Sequence, residues 1–224
     1  MKKLRIGIIG CGNIAHKHAQ SYKTFDDLNT ALERLSDGAS SSINICIFVL
    51  SVDKKPSKNK NSITIYIVGE DKNGQRMEFP YFVSEQDILH AEDIQPNASY
   101  VFNLRLNNWQ GKRSKRVNTF MRVEQIPTKL ASKLFIRISA GDKDAPKKLA
   151  KVNELLSSHP GYTEVNLVVR LEDNERVYIS LPEKFNTYIH EELLNSLYEV
   201  VGEENVDFDL KPLVANQKTF GARR

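Results

Sequence analysis

The chain has few cysteines and no long apolar run, and both shortages exclude classes of protein. Only Cys11 and Cys46 are cysteines among 224 residues, too few for a disulfide framework or a four-ligand zinc site. The longest apolar runs, residues 6–9 and 45–50, fall far short of the roughly 20 residues that span a membrane. The basic start of the sequence is followed by too short an apolar run for a secretory signal. We therefore expect a cytoplasmic protein that binds no metal.

Catalytic arrangements are also scarce, whereas charge is abundant and unevenly divided. The five histidines are scattered, and the adjacent carboxylates lie on charged faces or at helix ends, so we predict no catalytic residue. Residues 43–126 carry 12 Lys and Arg against 9 Asp and Glu, and residues 129–212 carry 11 against 15. The change falls near Pro127, where we place a boundary between two domains of ordinary size.

Residues 1–42 begin with a glycine motif of the kind that binds dinucleotides. An apolar strand over residues 4–9 leads into Gly10, Gly12 and Ala15 and then into a helix from about residue 13 to 22. Gly10 permits a tight turn, Gly12 allows a pyrophosphate to approach the backbone, and the helix start attracts its charge. A second helical pattern spans residues 28–35, and residues 38–42 favour a flexible linker. This predicts a Rossmann-like β-turn-α appendage.

Residues 2–22 resemble the opening of the NAD(P)-dependent sugar and inositol dehydrogenases with a glucose-fructose-oxidoreductase-type fold. The resemblance implies NAD or NADP bound by Gly10, Gly12 and Ala15. The acidic residue that should end a second strand about 20 positions further on is missing, because the candidates there lie in a helical pattern. The family's Glu-Lys-Pro catalytic segment is absent too. A fragment of such an oxidoreductase is therefore the alternative hypothesis, and a chain that joins pieces of two families is a third.

Residues 43–126 have the element order of a five-stranded OB-fold barrel. Alternating apolar residues predict strands over residues 43–53, 61–70, 75–83, 98–107 and 115–126. Residues 71–74, Asp-Lys-Asn-Gly, are a strong hairpin signal between the second and third strands, and residues 84–94 predict a helix between the third and fourth. Three strands, a helix and two strands in about 85 residues are typical of this barrel.

The loops between strands 1 and 2 and between strands 4 and 5 are strongly basic. They hold eight basic residues and no acidic one: Lys54, Lys55, Lys58, Lys60, Lys112, Arg113, Lys115 and Arg116. Because OB-folds bind oligonucleotides through these loops and the face of strands 2 and 3, we expect both loops at one mouth of the barrel, on phosphates. Trp109, Tyr66 and Phe79 would stack on bases. Alternatively, the rings fill the barrel and the loops only keep it soluble.

Residues 129–212 predict a second domain with the order β-α-β-β-α-β. Strands are expected near residues 134–139, 164–171, 176–181 and 205–210, with helices after Pro146 and over about residues 188–201. This order is that of the split ferredoxin-like unit, so the whole chain is predicted to be α+β. The tail, residues 213–224, is expected to be disordered.

Three stretches of these two domains resemble one family. They are residues 63–82 with the turn Glu70-Asp71-Lys72-Asn73-Gly74, residues 133–138, and His159-Pro160-Gly161 with the helix before it. In order and spacing, residues 43–212 are similar to the OB domain and C-terminal domain of the alpha subunit of bacterial DNA polymerase III, a nucleotidyltransferase. The resemblance implies that the OB domain contacts single-stranded DNA and that residues 129–212 dock to a clamp-loader or other replisome subunit.

The polymerase domains of that family are missing from this chain. Its histidinol-phosphatase-like domain, its palm with catalytic aspartates and its fingers have no counterpart. The leading hypothesis is therefore a non-catalytic part of a replication protein, with single-stranded DNA and a clamp-loader subunit as partners.

Overall fold

The computed structural model describes residues 22–56, 62–84, 93–173 and 175–214, which form a mixed α+β protein of mainly antiparallel sheets. They divide into unit 1, residues 22–123 with 213 and 214, and unit 2, residues 124–212. Several predictions lie outside the described residues: Gly10, Gly12 and Ala15 with their strand and helix, Lys58, Lys60, most of the helix predicted over residues 84–94, and the tail beyond residue 214.

Unit 1 is built on one curved antiparallel sheet. Its strands are β1 (Ser40–Pro56), β2 (Ser62–Glu70), β3 (Arg76–Ser84), β4 (Ala98–Trp109) and β5 (Lys112–Arg122). Their order in the sheet is β3-β2-β1-β4-β5. The long strand β1 changes partners, because residues 40–49 pair with β4 and residues 48–56 pair with β2, with a bulge between Val49 and Ser51. All five predicted strands are thus present.

The two edge strands of this sheet approach each other across an aromatic core. The ring of Tyr81 on β3 lies 5.9 Å from the ring of Phe120 on β5, edge to face. Phe79 and Phe102 meet in the same way at 5.4 Å, and both are fully buried. Among the described residues β3 and β5 share no backbone pairing, so the sheet curls without closing.

Helix α1 (Phe25–Glu33) belongs to the core of unit 1. Thr24 and Asp27 form a capping box, in which the Thr24 hydroxyl accepts from the Asp27 amide and the Asp27 carboxylate accepts from the Thr24 amide. Phe25 and Leu28 are fully buried, and the buried carboxylate of Asp71 accepts a hydrogen bond of 2.8 Å from the Phe25 amide. The prediction that residues 1–42 form an appendage is therefore wrong for residues 25–33, which belong to unit 1.

Segments predicted as linker, loop or tail are ordered in unit 1. Residues 40–42 begin β1, residues 54–56 end it, and the basic segment 107–116 is part of the β4–β5 hairpin. Only Gln110 and Gly111 form its turn, both with positive φ (51° and 72°), as a two-residue turn of this hand requires. The predicted strands were too short because they stopped where the apolar alternation gives way to polar residues. Backbone pairing continues through those polar residues. Leu213, the first residue of the predicted tail, is buried.

Unit 2 has the predicted order of strands and helices. Its elements are α2 (Ile126–Leu130), β6 (Ala131–Ser139), α3 (Ala145–Ser158), β7 (Pro160–Arg170), β8 (Arg176–Ser180), α4 (Glu191–Val201) and β9 (Val206–Leu210). Short 3-10 turns lie at Val123–Gln125, at the boundary of the units, and at Glu183–Phe185 and Glu203–Asn205. Val152 and Leu156 of α3 pack with Leu193 and Leu197 of α4 in one apolar core.

The ferredoxin-like prediction is nevertheless wrong. In the split unit another strand lies between the two strands that the first helix joins. Here β6 and β7 are direct parallel neighbours, with Leu134 opposite Val165, and the sheet order is β8-β7-β6-β9. The helix α3 is thus the crossover of an unsplit β-α-β unit. Element order alone is compatible with both sheets, so the sequence could not distinguish them.

The His159-Pro160-Gly161 motif has a structural explanation in this unit. A Cβ atom on Gly161 would lie 2.2 Å from the Tyr188 amide nitrogen, closer than any side chain allows. The Gly161 amide donates to the Asn186 carbonyl, and the Tyr188 amide donates to the His159 carbonyl. The motif therefore marks a close crossing of two backbone segments.

Candidate nucleic-acid interface

The β4–β5 hairpin sorts its side chains onto two faces. Leu104 and Leu106 point into the core. Side chains alternate along a strand, so those of residues 105, 107 and 109 point outward. Trp109 is directly opposite Lys112, and Arg105 is directly opposite Arg116. Opposed residues share a face, so these four side chains form one outer surface, which we call the hairpin surface. Trp109 is 67% exposed, and neither strand contains an acidic residue.

The other two basic residues of the hairpin belong to the opposite face. Arg113 lies opposite Asn108, and Lys115 lies opposite the buried Leu106. The Arg113 guanidinium donates to the Glu33 carbonyl at 2.9 Å, which caps the last turn of α1. Burial lowers the pKa of Lys115. Of the four hairpin cations that were predicted to act together, Lys112 and Arg116 therefore lie on the outer face, and Arg113 and Lys115 lie on the inner face.

Arg105 is a candidate site residue that the sequence reasoning missed. It lies inside a predicted strand, and the available signal was its spacing of four from Trp109, which places both side chains on one face of β4. Arg105 and Arg116 are both exposed and form no ion pair with any residue that the structure describes. Like charges directly opposed across strands repel each other, so an anion between them would be stabilising.

A second aromatic surface lies on β1, β2 and β3. Lys55, Thr64 and Phe82 are opposed across these strands, and Tyr66 is in the neighbouring row opposite Asp53. We call Lys55, Tyr66 and Phe82 the β2–β3 platform. Phe82 is 59% exposed, and Tyr66 is half-buried beneath the Lys55 ammonium, 4.8 Å from the ring centre. The ammonium also lies 3.2 Å from the Asp53 carboxylate.

The stacking residue predicted on the third strand is wrong. Phe79 is opposite Ile67, is fully buried and fills the core against Phe102. The strand alternates, so its outward aromatic residue is Phe82, three positions later. Lys54, likewise, lies opposite the buried Ile65, across the strand from the face that carries Lys55.

The described parts of the two basic segments do not meet at one mouth of the barrel. Lys55 is opposite Thr64 near the end of β1, whereas Arg105 is opposite Ser42 near its start. The predicted meeting fails because β1 is long and exchanges β4 for β2 along its length. The hairpin surface and the β2–β3 platform thus lie at opposite ends of one strand.

The described part of the chain contains neither a candidate metal site nor a membrane-spanning helix. Residues 22–56, 62–84, 93–173 and 175–214 contain no cluster of three or more His, Cys, Asp or Glu side chains that could hold a metal ion. In that same part of the chain, every helix is too short or too polar to cross a membrane.

Comparisons with known proteins identify no family for the chain. No protein-family model matches it, and no curated protein matches it. A solved structure to which it is similar is a replication protein A heterotrimer bound to ssDNA, with 15% sequence identity and a TM-score of 0.24. The match covers 36% of this chain and 56% of that chain, so it spans little more than half of the solved chain. A likeness this weak supports no conclusion about fold or function.

Proposed function

We propose that unit 1 binds single-stranded DNA through the outer face of its five-stranded sheet. The observation that carries the proposal is the hairpin surface, where an exposed tryptophan stands with three cations and no carboxylate on either strand. A stacked base and neutralised phosphates are the two contacts that sequence-independent single-strand binding needs. The hairpin surface supplies both kinds.

The proposal extends to the fold of unit 1, an OB-type barrel that remains partly open. The sheet order β3-β2-β1-β4-β5 and the contact between Tyr81 and Phe120 at its two edges support this assignment. OB-type barrels bind oligonucleotides on the face of strands 2 and 3 and through the loop between strands 4 and 5. In unit 1 these places are the β2–β3 platform and the hairpin surface.

Each residue then has a defined task. Trp109 stacks on one base, and Phe82 and Tyr66 stack on others at the far end of β1. Arg105 and Arg116 hold phosphate between their opposed guanidinium groups, and Lys112 adds a point charge beside Trp109. Stacking and phosphate contacts carry little sequence information, so binding should depend strongly on salt and weakly on base identity.

Two charge-matched double variants of the hairpin test the proposal. Lys112→Ser with Arg116→Ser removes two charges from the outer face, and Arg113→Ser with Lys115→Ser removes two from the inner face. Each released phosphate contact contributes about 0.7 to the slope of log K against log salt for single strands. The outer pair should therefore reduce the slope by about 1.4, and the inner pair should leave it unchanged.

The measurement is fluorescence anisotropy of the full chain with a labelled oligothymidylate over a range of salt concentrations. Melting curves of both double variants show whether each remains folded at the temperature used, since Arg113 contacts α1. Absence of binding at low salt, or an equal change of slope for both pairs, would contradict the proposal.

We further propose that the chain acts in DNA replication as a non-catalytic part of a polymerase III alpha-like subunit, with unit 2 docking to a clamp-loader subunit. The resemblance of residues 43–212 motivates this step. We assign the docking to the edge strand β8, because it carries three exposed apolar side chains in succession: Val177, Tyr178 and Ile179. An edge strand can pair with an extended peptide. Tyr178→Ser with Ile179→Thr should weaken binding to a purified clamp-loader subunit, and unchanged binding would contradict docking through β8.

Nicotinamide binding by Gly10, Gly12 and Ala15 stays the alternative. Because these residues lie outside the described ranges, the test is direct: NADH or NADPH should leave the melting temperature unchanged if the alternative is wrong. A saturable rise that Gly12→Asp abolishes would favour the oxidoreductase fragment.

A further inference from the structure

The edge strand β8 differs from the other edges of the two described sheets. Proline and charged side chains usually keep an exposed edge from pairing with another chain. Such residues are present on β3, which contains Pro80, on the basic strand β5, and on β9, which contains Asp207 and Asp209. On β8 only Arg176 is charged. Three exposed apolar side chains follow it: Val177, Tyr178 and Ile179. This edge is therefore open to pairing.

The backbone of β8 presents alternate amides and carbonyls at this open edge. Just beyond β8, the Leu181 amide donates to the Val165 carbonyl of β7 at 3.0 Å. Hydrogen-bonded and non-hydrogen-bonded pairs alternate along an antiparallel ladder, so the odd-numbered residues of β8 are the ones bonded to β7. Three residues therefore turn their backbone groups away from β7: Arg176, Tyr178 and Ser180. Among the described residues no further strand lies on that side of β8.

We propose that β8 pairs with β8 of a second copy of this chain, antiparallel and with Tyr178 on the two-fold axis. In this register Tyr178 is opposite Tyr178 of the second copy, and Arg176 is opposite Ser180 of the second copy. These are the residues whose backbone groups face the open edge. Each of them donates one hydrogen bond and accepts one, as in an ordinary antiparallel ladder.

The side chains and charges are complementary in this register. Val177 is opposite Ile179 of the second copy, and both continue the rows of apolar core residues on the helix side of the sheet. Tyrosine meets tyrosine on the other side, and no like charges are opposed. The equivalent pairing of β9 would place Asp207 opposite Asp209 of the second copy, and like charges directly opposed across strands are destabilising. The charge pattern therefore favours β8 as the edge that self-pairs.

Pairing of β8 with itself is limited to two copies. A two-fold contact uses the same strand from each copy, so no β8 edge remains for a third. The joined sheet ends at β9 of each copy, where the carboxylates oppose further growth. The five residues of β8 are few beside the about 20 to 30 residues that each partner contributes to a standard interface. We therefore expect a weak dimer that forms at high protein concentration.

The second copy occupies the edge that docking to a clamp-loader subunit would also use. Because β8 has one free edge, only one of the two partners can pair with it at a time. Self-pairing would keep this apolar edge covered until another partner competes for it. The pairing involves unit 2 and does not depend on the binding of DNA by unit 1.

Sedimentation velocity of the full chain at increasing protein concentration tests the pairing. The mass should rise from that of one copy toward that of two and no further. Tyr178→Pro removes an outward amide but no bond to β7, so it should weaken the association at least about tenfold. Ile179→Lys places a charge against Val177 of the second copy and should also weaken it. Both positions are exposed, so melting curves should show that both variants remain folded.

Tyr162→Ser is the matched control in the same unit. Tyr162 is 97% exposed and lies on β7 before Asn166, the first residue that pairs with β8, so its substitution should leave the association unchanged. The mass of one copy at every concentration, growth beyond two copies, or equal weakening by Tyr162→Ser would overturn the proposal. If the chain stayed a single copy and Tyr178→Pro abolished binding to a purified clamp-loader subunit, the edge would belong to that partner and self-pairing would be wrong.

Discussion

The cations of the hairpin surface in unit 1 and two lysines of unit 2 differ in what surrounds them. On the hairpin surface of unit 1, Arg105, Lys112 and Arg116 have no ion-pair partner within the described part of the chain, and the strands that carry them have no carboxylate. In unit 2, Lys133 lies 3.0 Å from Glu164, and Lys148 lies 2.7 Å from Asp142. A cation that already faces a carboxylate releases no counterion when DNA approaches. Pairing, more than net charge, therefore distinguishes the proposed DNA-binding surface from these lysines of unit 2.

The exposed aromatic residues can be compared in the same way. Trp109 in unit 1 lies directly opposite Lys112, which forms no ion pair with any described residue. Tyr178 in unit 2 is just as exposed, at 63%, but the cation in its register row is Arg137, whose guanidinium pairs with Asp207. A cation that already faces a carboxylate gives a weaker phosphate contact to hold a strand across the ring.

The largest effect is expected from Gly161→Ala, which should destabilise unit 2 and leave unit 1 unchanged. Gly161→Ala places a Cβ atom 2.2 Å from a backbone nitrogen, which cannot move as a side chain can, so we expect unit 2 to lose about 3 kcal/mol or more of unfolding free energy. Hydrogen exchange read by mass spectrometry should accelerate in β7 and around Tyr188. Protection of β4 and β5, and the binding of oligothymidylate, should not change.

Gly141→Ala is the matched control in the same unit. A Cβ atom on Gly141 would have its nearest neighbour 4.0 Å away, at the Ser139 hydroxyl, so its substitution should leave the exchange pattern intact. If Gly161→Ala lowered the protection of the β4–β5 hairpin as much as that of β7, the two units would have to unfold together.

The strands of both units could be predicted because apolar alternation and turn residues act locally. Asp71-Lys72-Asn73-Gly74 shows why: the Asp71 carboxylate accepts from the Asn73 and Gln75 amides within its own turn. The packing of Phe25 against the sheet and the neighbours of β6 depend on long-range contacts, which no local pattern contains. The appendage and the ferredoxin-like sheet were wrong for this reason.

The candidate site was predicted in part, and the limit was again geometric. Trp109, Lys112 and Arg116 were identified by composition, and their shared face follows from a two-residue turn that fixes the hairpin register. Arg105 was missed because it interrupts an apolar strand, and Phe79 was chosen over Phe82 because the phase of the alternation was not applied to it. Once the register is known, it assigns each of these residues to its face of the sheet.

A smaller effect is expected from removing single exposed rings. Trp109→Ala and Phe82→Ala should each weaken oligothymidylate binding by about 1–3 kcal/mol per stacked base, with little change in the salt slope because stacking releases no counterions. Tyr178→Ala, which removes an equally exposed ring from unit 2, should have no effect on anisotropy. Equal losses for Tyr178→Ala and Trp109→Ala would remove the distinction between the units.

The smallest expected effect is on stability at low pH, and one carboxylate in each unit tests it. Hydrogen bonds from the Thr24 amide and hydroxyl lower the pKa of Asp27 in unit 1, and the Lys148 ammonium with the Asp144 amide lowers the pKa of Asp142 in unit 2. A carboxyl whose pKa is lower in the folded state stabilises that state above its ordinary pKa, and the contribution disappears as pH falls through the lowered value.

Asp27→Asn should therefore flatten the decline in unit 1 stability as the pH falls below about 4, the ordinary pKa of Asp, and Asp142→Asn should do so only for unit 2. Asp27 is solvent-exposed and Asp142 is partly exposed, so each change should be small beside those of Gly161→Ala and Trp109→Ala. Urea titrations at several pH values, with hydrogen exchange to assign each loss to a unit, measure it. If Asp27→Asn altered the acid sensitivity of β7, or left that of α1 unchanged, the Asp27 carboxylate of the capping box would not be the group that titrates. Acid sensitivity would then fail to distinguish the two units at this position.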